Sequence, residues 1–345
     1  MRVLVTGHNG YIGSVMVDVL HAAGHSVVGL DAYFFENCGI TQAERIPAFR
    51  KDLRDVTHAD LQGFEAIVHL AALCNDPLGD LNPDWTNEIN FKASLRLAQL
   101  ARDAGVKRFL YASSCSMYGK AGDDALTEES PLRPLTPYAV SKIRTEEEVS
   151  KLADDDFSPV FLRNATAYGW SVRLRADVVL NNLVCWAHAT GKVRIMSDGT
   201  PWRPLVHVED ISRVAAAALG APRSAIHNQA FNVGVNEENY RVRDLAAIVS
   251  QTVPNCVVEY AADGGPDPRS YRVNFNKLAR LLPEFKPTWT AATGAQQVYQ
   301  HIKEAAITLA DFQGPRFTRL AQFKSLLEAG MLNDTLRWKT NGQDR

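Results

Sequence analysis

Three residues have the types and spacing for proton transfer: Ser114, Tyr138 and Lys142. Tyr138 and Lys142 stand four apart in "YAVSK", and positions i and i+4 share a helix face. An ammonium beside a phenol favours the phenolate through its charge. A tyrosine that otherwise titrates near ~10 can then act as a general base near neutral pH. Ser114 closes the run "KRFLYASS", read as a strand, so its hydroxyl would meet the same substrate hydroxyl. A lone YxxxK pair also arises on ordinary surface helices. The order strand, serine, helix, tyrosine, lysine behind a glycine turn is far more specific.

That turn is at the start of the chain. In "MRVLVTGHNGYIGSVMVDVL" an apolar run, Val3 to Val5, reads as a buried strand. Ile12, Val15, Met16 and Val19 fall on one face of a following helix. Gly7, Gly10 and Gly13 lie between or just inside these elements, and Tyr11 and Ile12 open the helix. A helix N-terminus with open N–H groups attracts phosphate, so the turn is read as a seat for a dinucleotide pyrophosphate. Asp31, closing the strand "HSVVGLD", has the spacing of the ribose-binding acid of such folds. A carboxylate there repels a 2′-phosphate, which favours NAD over NADP. Asp52 and Leu53 in "RKDLRD" are placed at the adenine. Leu70, Ala71 and Ala72 in "HLAAL" leave room for cofactor backbone at a strand end. His69 reads as a packed strand residue.

The elements that must position these residues alternate through the first half of the chain. Strands are expected at 66–70, 107–114 and 158–164, with helices at 85–104 and 137–153. Pro137 suits a first helical position. This rhythm argues for an α/β fold: a Rossmann-type, doubly wound parallel sheet covered on both faces. Beyond Tyr168 it loosens. A helix is expected over 173–191, stopped by Gly191. Short strands follow at "KVRIM" and "RPLVHV", then helices at 209–219 and 242–253, with "AFNVG" between them. Asp210 is read as a cap for the first of these helices. The stretch "ADGGPDPRSYRV" reads as turn-rich, and 317–338 as partly helical. The expected division is a dinucleotide-binding domain over 1–168, rejoined at 206–234. A smaller mixed α/β domain over 169–205 and 235–345 would close a pocket between them.

Composition narrows the class. The chain has 345 residues, 46% hydrophobic and 22% charged, with formal net charge −2. Whole-surface attraction to nucleic acid or an anionic membrane is not expected. Five scattered cysteines without a CxxC pair suggest neither a disulfide framework nor a zinc site. No run approaches bilayer length. No signal peptide precedes the first strand, so a cytoplasmic location is expected.

Taken together, "TGHNGYIG", "HLAA", "YASSCSMYG", "PYAVSK" and "RPLVHVED" resemble the extended short-chain dehydrogenase/reductases, in their nucleotide-sugar epimerase and dehydratase branch. The resemblance runs from Met1 to about Lys277. It implies a Rossmann fold, tightly held NAD and a triad falling on Ser114, Tyr138 and Lys142. It implies that "LNNLV" meets the substrate phosphates through Asn182 and Leu183. It implies that Arg203, in "TPWRPLVHV", contacts phosphate. Arg269, in "DPRSY", is the candidate for a second arginine, although the local spacing differs from the sugar epimerases. Asn164 and Thr166 in "LRNATAYG" are placed at the pocket floor. Homodimers through helices 85–104 and 137–153 are also implied.

Two reactions remain open at this level. A 4-epimerase oxidises a sugar hydroxyl, lets the keto-sugar turn over and reduces its other face. A 4,6-dehydratase of the resembled branch eliminates water with an Asp–Glu pair directly after the catalytic Ser/Thr. Here Cys115 and Ser116 occupy those positions. Neither is an acid, although a Cys115 thiol of lowered pKa would support an unusual elimination. Otherwise Cys115 is a small buried filler. A 4-ketoreductase is disfavoured by Asp31, and a non-catalytic dinucleotide sensor by the complete triad.

Overall fold

Among the described residues, seven short strands build the central sheet, and every pairing in it is parallel. Their order across the sheet is Gln229–Val233, Ser158–Asn164, Arg108–Ser114, Ala66–His69, Arg2–Thr6, Ser26–Asp31, Ala48–Arg50. The computed structural model describes residues 1–41, 46–74, 76–260 and 269–339, less the side chains of 121 and 123. Parallel neighbours need crossover connections, and the helices that supply them cover both faces. On one face, helices Tyr11–Ala22 and Val208–Gly220 bury Met16, Leu20, Val214 and Ala218 against Val3, Val5 and Val160. On the other, helices Ala93–Asp103 and Pro137–Ser150 bury Leu97, Ala101 and Val149 against Leu4, Ile67 and Phe109. The strand order reverses direction beside Arg2–Thr6. A crevice opens there at the carboxyl ends of the strands.

A separate core lies beyond Tyr168. Helices Val179–Thr190, Val242–Thr252 and Ala291–Glu304 pack Leu183, Val184, Leu245, Val249, Ala295 and Val298 together. Strand Trp202–His207 pairs parallel with Thr166–Tyr168 and antiparallel with Asn239–Arg241. Lys192–Ile195 pairs with Val257–Tyr260. Ser270–Val273 pairs with Lys120–Leu126.

The structure departs from expectation in several places. The helix expected from residue 173 begins only at Val179. Residues 173–178 are irregular because their polar groups are committed elsewhere. Asn181 Nδ2 donates to the carbonyl of Arg175, and Asn182 Nδ2 to that of Ala176. The expected helix 85–104 is a run of α, π and α turns from Pro83 to Asp103, with the π segment at Asn87–Lys92. Residues 261–268 of the expected turn-rich stretch lie outside the described residues. Helix Arg319–Glu328 fits the partly helical tail. It closes a fourth core with Phe34, Leu73, Ile89, Phe323 and Leu336. Among the described residues, no helix is long and apolar enough to cross a membrane.

Candidate active site

The glycine turn is built by close backbone approach. Gly7, at φ +75°, donates to Leu30 O at 2.7 Å. A Cβ on Gly7 would stand 2.9 Å from Ala71 N, and one on Gly13 would run into Gly7 O. Gly10 is the N-cap of helix Tyr11–Ala22, and no side chain caps that end. A row of first-turn N–H groups therefore faces the crevice, the arrangement that receives phosphate. Only glycines allow this close-packed turn, and its open N–H groups fit a dinucleotide pyrophosphate.

Asp31 stands at the next strand end. It accepts from Asn9 N at 3.1 Å and Tyr33 N at 2.7 Å. Burial raises its pKa, against these N–H groups and the nearby His8 and Arg173. Arg173 is fixed there by two bonds to Asn9 Oδ1, at 3.1 and 2.8 Å. Asp52 is less free than its sequence position suggests. Arg54 takes both its oxygens, at 2.9 and 2.6 Å. Although burial opposes it, these bonds hold the Asp52 carboxyl below its usual range. Tyr11 lines the crevice, but its hydroxyl donates to Gly169 O at 2.8 Å. His69 is a packed strand residue, as expected. It is held between Thr6 Oγ1 (2.6 Å) and Ser94 Oγ (2.8 Å), and burial pushes it down to about 3.

The acid–base residues meet at the end of strand Arg108–Ser114. Thr136 caps helix Pro137–Ser150 by accepting from Ala139 N at 3.2 Å. This sets Tyr138 in the first turn, where the Ser114 hydroxyl is close enough to favour its phenolate. Gly79 packs on it: a Cβ there would lie 3.0 Å from that of Tyr138. Lys142 lies one turn on, its Nζ 5.6 Å from the Tyr138 ring centre. Here the electrostatics correct the sequence reading. Burial pushes the Tyr138 phenol up, Cys74 adds to this, and the nearby Ser114 hydroxyl only partly offsets it. Burial also pushes Lys142 down, to about 8. The ammonium gives its hydrogen bond to Ala112 O at 2.6 Å, not to the phenol. Away from water, both groups favour their neutral forms.

The expected substrate residues converge on the same space, with one exception. Ser116, Asn164, Thr166, Asn182, Leu183, Arg203 and Arg269 all line one cavity of about 920 Å³. So do Gly7, Gly10, Tyr11, Ile12, Gly13, Asp31, Asp52, Leu53, Leu70, Ala71, Ala72, Ser114, Tyr138 and Lys142. Ser116 Oγ and Asn164 Oδ1 are buried without protein hydrogen-bond partners. Arg269 reaches Asp76 at 2.7 Å, and Asp76 also accepts from Thr136 Oγ1 at 2.7 Å. Cys115 does not line the cavity. Its sulfur faces Arg163 O at 3.0 Å, it is fully buried, and burial pushes the thiol up. A low-pKa Cys115 base is therefore ruled out by geometry and burial alike.

Sequence reasoning missed other lining residues. Arg175, paired with Asp177 at 2.8 Å, donates to the Cys74 sulfur at 3.4 Å. Both residues of that pair lie in a stretch read as helix, whereas the helix begins only at Val179. Arg319 comes from the tail, which carries no motif.

The comparisons with known proteins agree with this geometry. The model of the "NAD dependent epimerase/dehydratase family" matches residues 3–234. The chain belongs to that family. NAD is accordingly its cofactor, and its reaction lies within nucleotide-sugar epimerase and dehydratase chemistry. A "UDP-glucose 4-epimerase" of Mycolicibacterium smegmatis is 32% identical over 265 residues, 73% of this chain and 83% of that protein. The solved structure of MoeE5 in complex with UDP-glucuronic acid and NAD superposes with TM-score 0.77 at 27% identity. It covers 88% of this family member and 100% of that chain. TunA, a hexosamine 5,6-dehydratase, has TM-score 0.78 at 22% identity, covering 88% and 98%, and speaks for the fold alone.

Proposed function

We propose that this family member is a nucleotide-sugar 4-epimerase acting through a transient 4-keto sugar. One observation carries the choice over elimination: the stretch after Ser114 offers the cavity no acid or base. Ser116 brings a hydroxyl, and the Cys115 thiol is turned away and held protonated. The carboxylates on that side are already paired, Asp76 with Arg269 and Asp177 with Arg175. The similarity to a UDP-glucose 4-epimerase points to a UDP-hexose as substrate.

In this reading Gly7, Gly10 and Gly13 seat the cofactor pyrophosphate, with Tyr11 and Ile12 at the helix end. Asp31 takes the ribose hydroxyls, and Asp52 and Leu53 border the adenine. Leu70, Ala71 and Ala72 give room along the cofactor. NAD, when bound, would supply the hydride acceptor for C4 and a positive charge near the phenol. Tyr138 takes the proton of the C4 hydroxyl and gives it back. Ser114 holds that hydroxyl and steadies charge on its oxygen. Lys142 keeps a cation close to the pair, anchored at Ala112. Asn182, Leu183, Arg203 and Arg269 hold the diphosphate while the ring turns over, and Asn164, Thr166 and Ser116 bound that ring. Arginine suits phosphate through its planar fork.

The cofactor half comprises 1–168 with the return at 206–234, and the remainder grips the sugar nucleotide. A cytoplasmic homodimer completes the proposal, and light scattering tests the dimer. The reaction is tested by incubating the purified protein with a panel of nucleotide sugars in heavy water, with no added cofactor. Epimer formation without solvent label on the sugar carbons supports the proposal. Loss of water, or deuterium at C5, refutes it in favour of a dehydratase.

A further inference from the structure

Helix Arg319–Glu328 sends one side chain into the cavity that the roles above leave unexplained. Arg319 is 1% exposed and lines the cavity. Its Nη2 donates to Arg173 O at 2.8 Å, while Nη1 is buried without a partner. The guanidinium lies over Phe35, 4.4 Å from the ring centre. A buried cationic donor with no acceptor is costly. The neighbouring charges sharpen the need. Arg175 commits Nε and Nη2 to Asp177, at 2.8 and 3.2 Å. Two guanidinium groups and one carboxylate leave local positive charge. Burial, and then Arg175, hold the Arg319 pKa below its ordinary value. An anion in the cavity would relieve both.

The segment is braced on the cofactor side. Trp338 Nε1 donates to Ala32 O at 2.6 Å, and Gln322 Nε2 to Phe34 O at 3.0 Å. Arg54, the partner of Asp52, donates to Thr335 O at 2.7 Å. Arg173, whose carbonyl receives Arg319, is itself held by Asn9 in the glycine turn, at 3.1 and 2.8 Å. Arg319, Gln322, Thr335 and Trp338 all lie beyond residue 234, where the family model ends.

We propose that Arg319 is a phosphate ligand supplied by the C-terminal segment, its Nη1 pairing with a diphosphate oxygen of NAD. The link through Arg173 to Asn9 of the glycine turn and the bracing on Ala32 and Phe34 favour the cofactor's diphosphate over that of the sugar nucleotide. The inference concerns binding and holds whichever reaction the site performs.

The test compares wild type, Arg319→Met and Arg319→Gln. Exchange of bound NAD for isotope-labelled NAD is followed by mass, and adenosine and UDP are titrated separately. Arg319→Met should exchange NAD about 10- to 100-fold faster, the loss expected for a charge-assisted bond. Adenosine, which lacks phosphate, and UDP should bind as in wild type. Arg319→Gln, which keeps an amide donor, should fall between, and it carries the same test if the methionine variant does not fold. Unchanged NAD exchange would overturn the proposal. So would an equal loss of adenosine, which marks an unseated segment, or a loss of UDP alone, which moves the guanidinium to the substrate.

Discussion

Lys142 gives its hydrogen bond to the backbone carbonyl of Ala112, 2.6 Å away. The lysine is 3% exposed, and burial sets its pKa at about 8 against an ordinary 10.5. Between those two pH values the unfolded chain binds the extra proton, so stability rises with pH across the window. Below pH 8 the full cost of burying the ammonium is present, about 3 kcal/mol at 1.36 kcal/mol per unit. Urea unfolding at pH 7.5 and 9.5 should therefore show wild type gaining on Lys142→Met by roughly 1–3 kcal/mol. Parallel behaviour of the two proteins would show that the amine is not strained by burial.

Removing the phenol removes the proton acceptor. Tyr138→Phe should lower kcat by about 10²–10⁴-fold and leave NAD content unchanged. Ser114→Ala should lower kcat by a smaller factor. Steady-state kinetics and the mass of released nucleotide check both.

Cys115 separates the two reactions most simply. Its sulfur points at Arg163 O and away from the cavity. Cys115→Ala should keep kcat within about 2-fold and cost stability by roughly 1 kcal/mol, the price of a small buried deletion. A 100-fold loss of turnover without unfolding would restore the thiol as a participant.

Gly13 has no room for a methyl group. A Cβ would meet Gly7 O and lie 2.6 Å from His8 Cα, both of them backbone atoms. Gly13→Ala should purify with little NAD and a lowered Tm. Full nucleotide occupancy would show that the turn can open without losing its ligand.

The sequence made the cofactor half easy to read because local rules governed it. Apolar strands, small turn residues and the YxxxK spacing are short-range signals, and tertiary packing reinforced each one. The family resemblance brought in Arg203, Asn182 and Leu183, which spacing alone would not have found. Arg175 was missed because residues 173–178 have helical composition while their carbonyls serve Asn181 and Asn182. Arg319 was missed because it reaches the cavity only through long-range packing of the tail on Phe34 and Phe35. The charge on Tyr138 was misjudged for a different reason. Four-residue spacing brings the lysine near, but burial and the Ala112 carbonyl decide the energetics.

The central claim is that one hydrogen leaves C4 of the sugar and returns to C4 without meeting solvent. A UDP-hexose carrying deuterium at C4, converted in ordinary water and analysed by NMR, tests it directly. The account predicts that both epimers retain the label at C4. Washout of the label into water, or its appearance at C6, would contradict it.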